Sequence, residues 1–247
     1  MDKSELILIS GGLGVLGQSY AKVLQEDGYK MLLLDINDPS GEYLGEFFKC
    51  DISNEQDIEK LSEHLKSIKM PICGLINNAS CQPPGIANEL EDYSVDTFRK
   101  VLEVNLLASF MLTKLVIPYM KEQKKGSIIN IGSIQGVVAP TFAVYEGMKI
   151  TSPLVYSVAK AGMIHFCKWV AAKYGKYNIR CNAVSPGGVG DSQKGGSKFS
   201  EVYASRTPLG KMADSSDIAD AVRFLISDKA KYITGHNLLV DGGWTIY

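Results

Sequence analysis

Short apolar runs alternating with longer amphipathic stretches restrict this chain more than any other feature. Leu6–Ile9, Met31–Leu34, Ile72–Ile76, Ser127–Ile131 and Ile179–Val184 carry mostly apolar side chains with little polar alternation. A strand presents side chains to both faces of its sheet, so such runs need cover on both sides. The intervening stretches Leu16–Glu26, Asn54–Ile68, Ser94–Glu122 and Tyr156–Tyr174 have helical spacing. A further helix is expected over Ser216–Ile226, behind the capping cluster Asp214-Ser215-Ser216, and Asn237–Val240 would add a last strand. This alternation predicts an α/β fold, a doubly wound parallel sheet with helices on both faces. With no repeat, low-complexity tract or linker, a single domain over residues 1–247 is expected. The stretch 187–211 is rich in Gly, Ser and Lys and long for a plain connection, so it is expected to be a substrate loop.

The first apolar run leads directly into Ser10-Gly11-Gly12-Leu13-Gly14-Val15-Leu16-Gly17. Gly12, Gly14 and Gly17 form a G-x-G-x-x-G pattern between a strand and a helix. There, glycines permit a tight turn, close approach of a pyrophosphate to the backbone, and tight seating of the helix. The sheet is therefore expected to be Rossmann-like. Asp35 closes the second strand, where a carboxylate can accept hydrogen bonds from the adenosine ribose hydroxyls. Ile36 follows it, and the glycine loop holds no Arg or Lys to receive a 2′-phosphate, so NAD is expected over NADP.

Composition narrows the function classes. The chain has 26 basic and 27 acidic residues in 247, with no basic excess for nucleic acid or an anionic membrane surface. Leu6–Ile9 is too short for a signal core or a membrane span, and no later run is expected to reach span length. Cys50, Cys73, Cys81, Cys167 and Cys181 are scattered and odd in number, and read as core thiols of a reducing cytoplasm. His64, His165 and His236 show no metal-ligand spacing, so no metal is expected.

A tyrosine and a lysine four apart share a helix face. The ammonium, together with the cationic oxidised nicotinamide, would favour a phenolate able to act as acid or base. The pattern occurs at Tyr145/Lys149 and at Tyr156/Lys160. Gly147 and the approaching Pro153 disfavour a helix through the first, whereas the second runs into a sustained helical stretch. Tyr156 and Lys160 are expected to be the working pair.

With these residues placed, the chain resembles the short-chain dehydrogenase/reductase superfamily, in its compact single-domain branch. The likeness also rests on Asp51-Ile52, Asn77-Asn78-Ala79, Asn105 in Glu-Val-Asn-Leu, Ser133 ending Ile-Asn-Ile-Gly-Ser, Arg180–Gly187 and Val240-Asp-Gly-Gly243. The resemblance implies alcohol–carbonyl oxidoreduction with Tyr156 as acid/base and Ser133 bonded to the substrate oxygen. Lys160 would hold the nicotinamide ribose and Asn105 a proton path behind it. It implies a cofactor surface of Gly11, Gly12, Gly14, Leu16, Gly17, Asp35, Ile36, Asp51, Ile52, Asn78, Ala79, Tyr156, Lys160, Pro186, Gly187 and Val189. A homotetramer or dimer through the helices around Asp96–Met120 and Tyr156–Tyr174 is also implied.

Three features depart from that pattern: the position of Gly14, the long insert at about 136–154, and Asp191 where the family often has threonine, with Ser192 as a substitute. The insert is similar to that of a subgroup near flagellin-modification dehydrogenases, which implies a sugar of bacterial surface glycans. Lys149, Gln193, Lys194, Lys198 and Arg206 are placed to receive a hydroxyl-rich or anionic sugar. A general carbonyl or 3-oxoacyl thioester reductase is the alternative; an apolar slot in 187–211 would favour it, but that stretch reads as conspicuously polar. A catalytically silent NAD-sensing scaffold is the non-enzyme alternative, which the set Ser133, Tyr156, Lys160 and Asn105 argues against.

Overall fold

The computed structural model describes residues 4–148, 151–190 and 198–246. Seven parallel strands form one sheet: β1 (Leu6–Ser10), β2 (Lys30–Asp35), β3 (Glu46–Lys49), β4 (Ile72–Asn77), β5 (Gly126–Ile131), β6 (Ile179–Pro186) and β7 (Asn237–Val240). Their order is β3-β2-β1-β4-β5-β6-β7, so the winding direction reverses between β1 and β4. At such a switch point, loops at the carboxyl ends of the strands diverge and leave a crevice.

The helices are α1 (Val15–Glu26), α2 (Glu55–Ser67), α3 (Val95–Leu102), α4 (Ala108–Gln123), α5 (Leu154–Tyr174), α6 (Lys198–Arg206) and α7 (Ser215–Ile226). Alternation along β1 shows why both faces are covered. Leu6 and Leu8 join a buried cluster with Leu61 of α2, Leu112 of α4 and Val170 of α5. Ile7 and Ile9 join the opposite cluster with Leu24 of α1 and Val222 of α7. This is the α/β Rossmann-like fold expected.

Local chemistry sets the helix starts. The Asn54 side chain accepts from the backbone N–H groups of Gln56 and Asp57 at 2.9 and 3.3 Å and opens α2. Asp214 and Asp217 form a reciprocal capping box on α7. Pro153 is the N-cap of α5, whose first residue, Leu154, lies two positions before the expected start.

Four expectations change. The strand-period reading did not pick out β3, because this edge strand, Glu-Phe-Phe-Lys, has charged ends and no buried run. The stretch 187–211 is not plain loop, since α6 lies within it. The helix expected over Ser94–Glu122 has a π turn, Glu103–Leu107, between α3 and α4. The combined run Val95–Gln123 is also long and apolar enough to cross a membrane, contrary to the sequence reading. Here Ala108, Leu112, Val116 and Met120 are buried in the cluster on one sheet face, as in a core helix.

Candidate active site

Two cavities lie at the carboxyl edge of the sheet. The first, of 510 Å³, is lined by Gly11, Gly14, Leu16, Asp35, Ile36, Asp51, Ile52, Asn78 and Ala79 among others. The glycine loop meets the end of β4 there. Asn78 Nδ2 donates to the carbonyls of Ser10 and Gly11 at 3.0 and 3.1 Å, and the N–H groups of Asn78 and Ala79 donate to Ser10 Oγ. Asp35 braces the same loop, with Oδ2 accepting from Leu13 N–H at 3.2 Å and Oδ1 from Asn37 N–H at 3.1 Å.

The glycines divide into two roles. Gly11 has φ +62° and Gly14 faces the cavity. Gly12 and Gly17 do not line it. A Cβ on Gly12 would stand 2.7 Å from Leu33 Cβ, and one on Gly17 would stand 2.8 Å from Gly12 Cα, so both serve packing. The N-terminus of α1 has no side-chain cap and no acidic residue in its first turn, which leaves its N–H groups and dipole for an anion. The cradle therefore fits a dinucleotide pyrophosphate.

The second cavity, of 390 Å³, has Ser133, Tyr156, Gly187 and Gly188 in its wall. Ser133 follows β5, and its Oγ accepts from Gln135 N–H at 3.2 Å while hydrogen-bonding the Tyr156 phenol. Gly136 lets this turn rest on α5, because a Cβ there would stand 2.6 Å from the Lys160 carbonyl carbon. Lys160 is buried, with Nζ donating to the Ile131 carbonyl at 2.6 Å and lying 5.4 Å from the centre of the Tyr156 ring. Burial pulls its pKa down to about 8.

The expected phenolate is not what these surroundings favour. Burial pushes Tyr156 above its ordinary pKa, the Ser133 hydrogen bond pulls it down, and Tyr145 nearby raises it again. The net shift is upward, so the protein alone holds a phenol. A neighbouring cation must supply the downward pull.

Asn105 sits in the π turn, fully buried. Its Oδ1 accepts from Cys81 N–H at 3.0 Å, and its Nδ2 is buried without a partner among the described residues. Single π turns inside α-helices are frequent at functional sites. Pro186 ends β6 next to Gly187, and neither it nor Val189 lines either cavity; Val189 forms a bridge with Ala213 and packs in the apolar cluster instead.

Several lining residues escaped the sequence reading. Tyr145, set aside as the acid/base candidate, stands in the second cavity's wall with Gln135, Phe199, Tyr203 and Trp244. The rings form a continuous run: Tyr145–Phe199 stacked at 5.7 Å, Phe199–Tyr203 at 5.7 Å and Tyr203–Trp244 stacked at 4.1 Å. Phe199 and Tyr203 come from α6, so the stretch 187–211, read from the sequence as conspicuously polar, contributes two aromatic rings to the wall. The four-residue spacing of Phe199 and Tyr203 was the available signal.

Among the described residues, no charged side chain lines this cavity. Arg206 lines a separate cleft with Thr207 and Thr245, and Lys198 is not in the wall. Lys149, Asp191, Ser192, Gln193 and Lys194 lie outside the described residues.

A family model described as Enoyl-(Acyl carrier protein) reductase matches residues 14–245. The chain is 32% identical to post-translational flagellin modification protein A of Campylobacter coli over 99% of each chain. It is 31% identical to 2-(S)-hydroxypropyl-CoM dehydrogenase 3 of Xanthobacter autotrophicus, over 98% of this chain and 97% of the relative. Among solved structures, a short chain dehydrogenase from Leptospira borgpetersenii with bound NAD+ superposes with a TM-score of 0.88. It is 36% identical, over 98% of this chain and 92% of that one.

Proposed function

This chain belongs to the short-chain dehydrogenase/reductase superfamily, and from that premise we propose its substrate class and the division of labour among its site residues. It is an NAD(H)-dependent oxidoreductase that interconverts alcohols and carbonyls, in keeping with the NAD+ bound by its Leptospira relative. Bound nicotinamide supplies the hydride acceptor or donor.

The observation that carries the residue roles is the sharing of one cavity wall by Ser133 and Tyr156, with Lys160 buried beneath. Ser133 Oγ orients the substrate oxygen, since its other contact, the Gln135 N–H, fixes the hydroxyl. Tyr156 Oη gives a proton to that oxygen in reduction and takes one in oxidation. Lys160, held by the Ile131 carbonyl, places a cation under the phenol ring and binds the nicotinamide ribose. The unpaired Asn105 Nδ2 is available to a water on the proton path behind Lys160. Asp35 receives the adenosine ribose hydroxyls while bracing Leu13.

The substrate we favour is a sugar or sugar-like hydroxylated molecule of bacterial surface-glycan biosynthesis. The aromatic run supports it, because ring faces stack on the C–H faces of sugars while polar groups at the edge fix hydroxyls. The kinship with the flagellin modification protein points the same way. The absence of charge among the described lining residues favours an uncharged face on the molecule.

The rival reading is a general carbonyl or thioester reductase, and Ile86, Ile134 and Val138 in the wall favour it. Steady-state rates of NAD reduction with nucleotide sugars, free sugars and polyols, against NADH oxidation with simple ketones and a 3-oxoacyl thioester, separate the two. Higher kcat/KM on the ketones or thioester would replace the sugar reading. The reading also includes a cytoplasmic location and a homo-oligomer, the latter supported by the exposed apolar side chains of Phe110 on α4 and Val158 and Trp169 on α5.

A further inference from the structure

Gln135 and Tyr145 form a polar pair in a wall that is otherwise mostly apolar and aromatic. Gln135 Nε2 donates to Tyr145 Oη at 3.3 Å. The other end of the amide, Oε1, is buried with no hydrogen-bond partner among the described residues. Leaving a buried carbonyl oxygen unpaired costs more than a typical hydrogen bond gains, so such an atom marks a place for a donor. Tyr145 already accepts the amide proton, and its own hydroxyl proton has no acceptor among the described residues. The pair thus offers one acceptor and one donor. A hydroxyl is the small group that answers both, since it donates one hydrogen bond and accepts others.

The position matters as much as the chemistry. Gln135 is two residues from Ser133, and its backbone N–H is bonded to Ser133 Oγ at 3.2 Å. Tyr145 is close enough to Tyr156 to raise its pKa. Both residues therefore stand in the same wall as the acid/base group, around a 390 Å³ cavity that accommodates one substituted ring, with the buried Oε1 just behind its surface. Burial also raises the Tyr145 pKa, so its phenol stays a neutral donor.

The geometry points to a hydroxyl-reading clamp: Gln135 Oε1 accepts from, and Tyr145 Oη donates to, a second hydroxyl beside the reacting carbon. The natural substrate is therefore a vicinal diol or, in reduction, an α-hydroxy ketone. This rests on the alcohol–carbonyl chemistry assigned to the cavity above, and it names the group that this cavity selects. Gln135 and Tyr145 are specificity residues; the proton is moved by Tyr156.

The test compares matched rings: NADH-dependent reduction of 2-hydroxycyclohexanone against cyclohexanone, and NAD-dependent oxidation of cis-cyclohexane-1,2-diol against cyclohexanol. Wild type is expected to prefer the hydroxylated partner in kcat/KM by about tenfold or more. Gln135→Met and Tyr145→Phe keep size and shape, and each is expected to lower that preference about tenfold while NADH affinity holds. A preference that survives both substitutions, with the two substrates slowed equally, overturns the clamp and leaves the hydroxylated-substrate reading standing. Wild type that reduces cyclohexanone as readily as its hydroxylated partner overturns both. Turnover that survives Tyr156→Phe removes the chemistry on which the clamp rests, whatever the ratio.

Discussion

Tyr156 and Lys160 carry opposite consequences of the same burial. Tyr156 is held as a phenol, so Tyr156→Phe keeps the packing and removes the only group assigned to move the proton. Turnover is expected to fall by at least about a hundredfold with NADH binding retained, as read by steady-state kinetics and cofactor fluorescence. Lys160 titrates near 8 in the folded chain and near 10.5 in its ordinary state. Between those values the unfolded chain binds more protons, so the contribution of Lys160 to stability rises with pH across that window. Below pH 8 the buried ammonium costs about 3 kcal/mol. The melting temperature of Lys160→Met relative to wild type is therefore expected to be more favourable at pH 7 than at pH 10; a difference independent of pH would contradict this. Asp35→Ala is expected to weaken NAD by about tenfold and to narrow the preference over NADP, read by paired titrations. Asp35 and the Tyr156 choice followed from local sequence, because strand ends and helix breakers act over a few residues. The Gln135 and Tyr145 roles did not, because an unpaired amide is visible only once its surroundings are folded around it.

Elements place these residues by contacts that tolerate little change. The turn after Ser133 is seated on α5 through Gly136, where a Cβ would meet the backbone of Lys160 and Ala161 at 2.6 and 2.7 Å. Backbone cannot swing aside as a side chain can. Gly136→Ala is therefore expected to cost about 1–3 kcal/mol in urea unfolding and to lower kcat by separating Ser133 from Tyr156. The boundaries of α1, α2 and α7 came within a residue of expectation, because caps and glycines are encoded locally. The interruption at Asn105 did not, because the same residues read as an unbroken helix by periodicity. Its π turn brings Asn105 Oδ1 to the Cys81 N–H, and that pairing crosses 24 positions of sequence. β3 and α6 were missed for a related reason: each is short and gains its stability from the element it packs against.

At the scale of the whole molecule, both cavities arise from the sheet's change of winding direction between β1 and β4. The first cavity draws on loops after β1, β2, β3 and β4, and the second on those after β4, β5 and β6 together with α6 and Trp244. The exposed faces of α4 and α5 are proposed to pair with a second copy of the chain. Trp169 is 57% exposed, so placing a charge there should not disturb the core. Trp169→Glu is expected to reduce the molar mass seen by light scattering while leaving the monomer's melting behaviour close to that of its fold. An unchanged mass, or a wild type that is already monomeric, would refute the pairing.

Most strands and helices, the glycine loop, the position of Asp35 and the proposed Tyr156–Lys160 pair were written in runs of adjacent residues. Periodicity, caps and glycine turns are properties of neighbouring residues, so they are legible before the chain is folded. What the cavity selects was decided by tertiary structure alone. Gln135 and Trp244 are 109 positions apart, and with Tyr145 and Tyr203 they meet only because the segments after β5 and β7 converge with α6 at one edge of the sheet. Their rings and the unpaired amide oxygen acquire meaning from burial, and burial is a property of the folded whole.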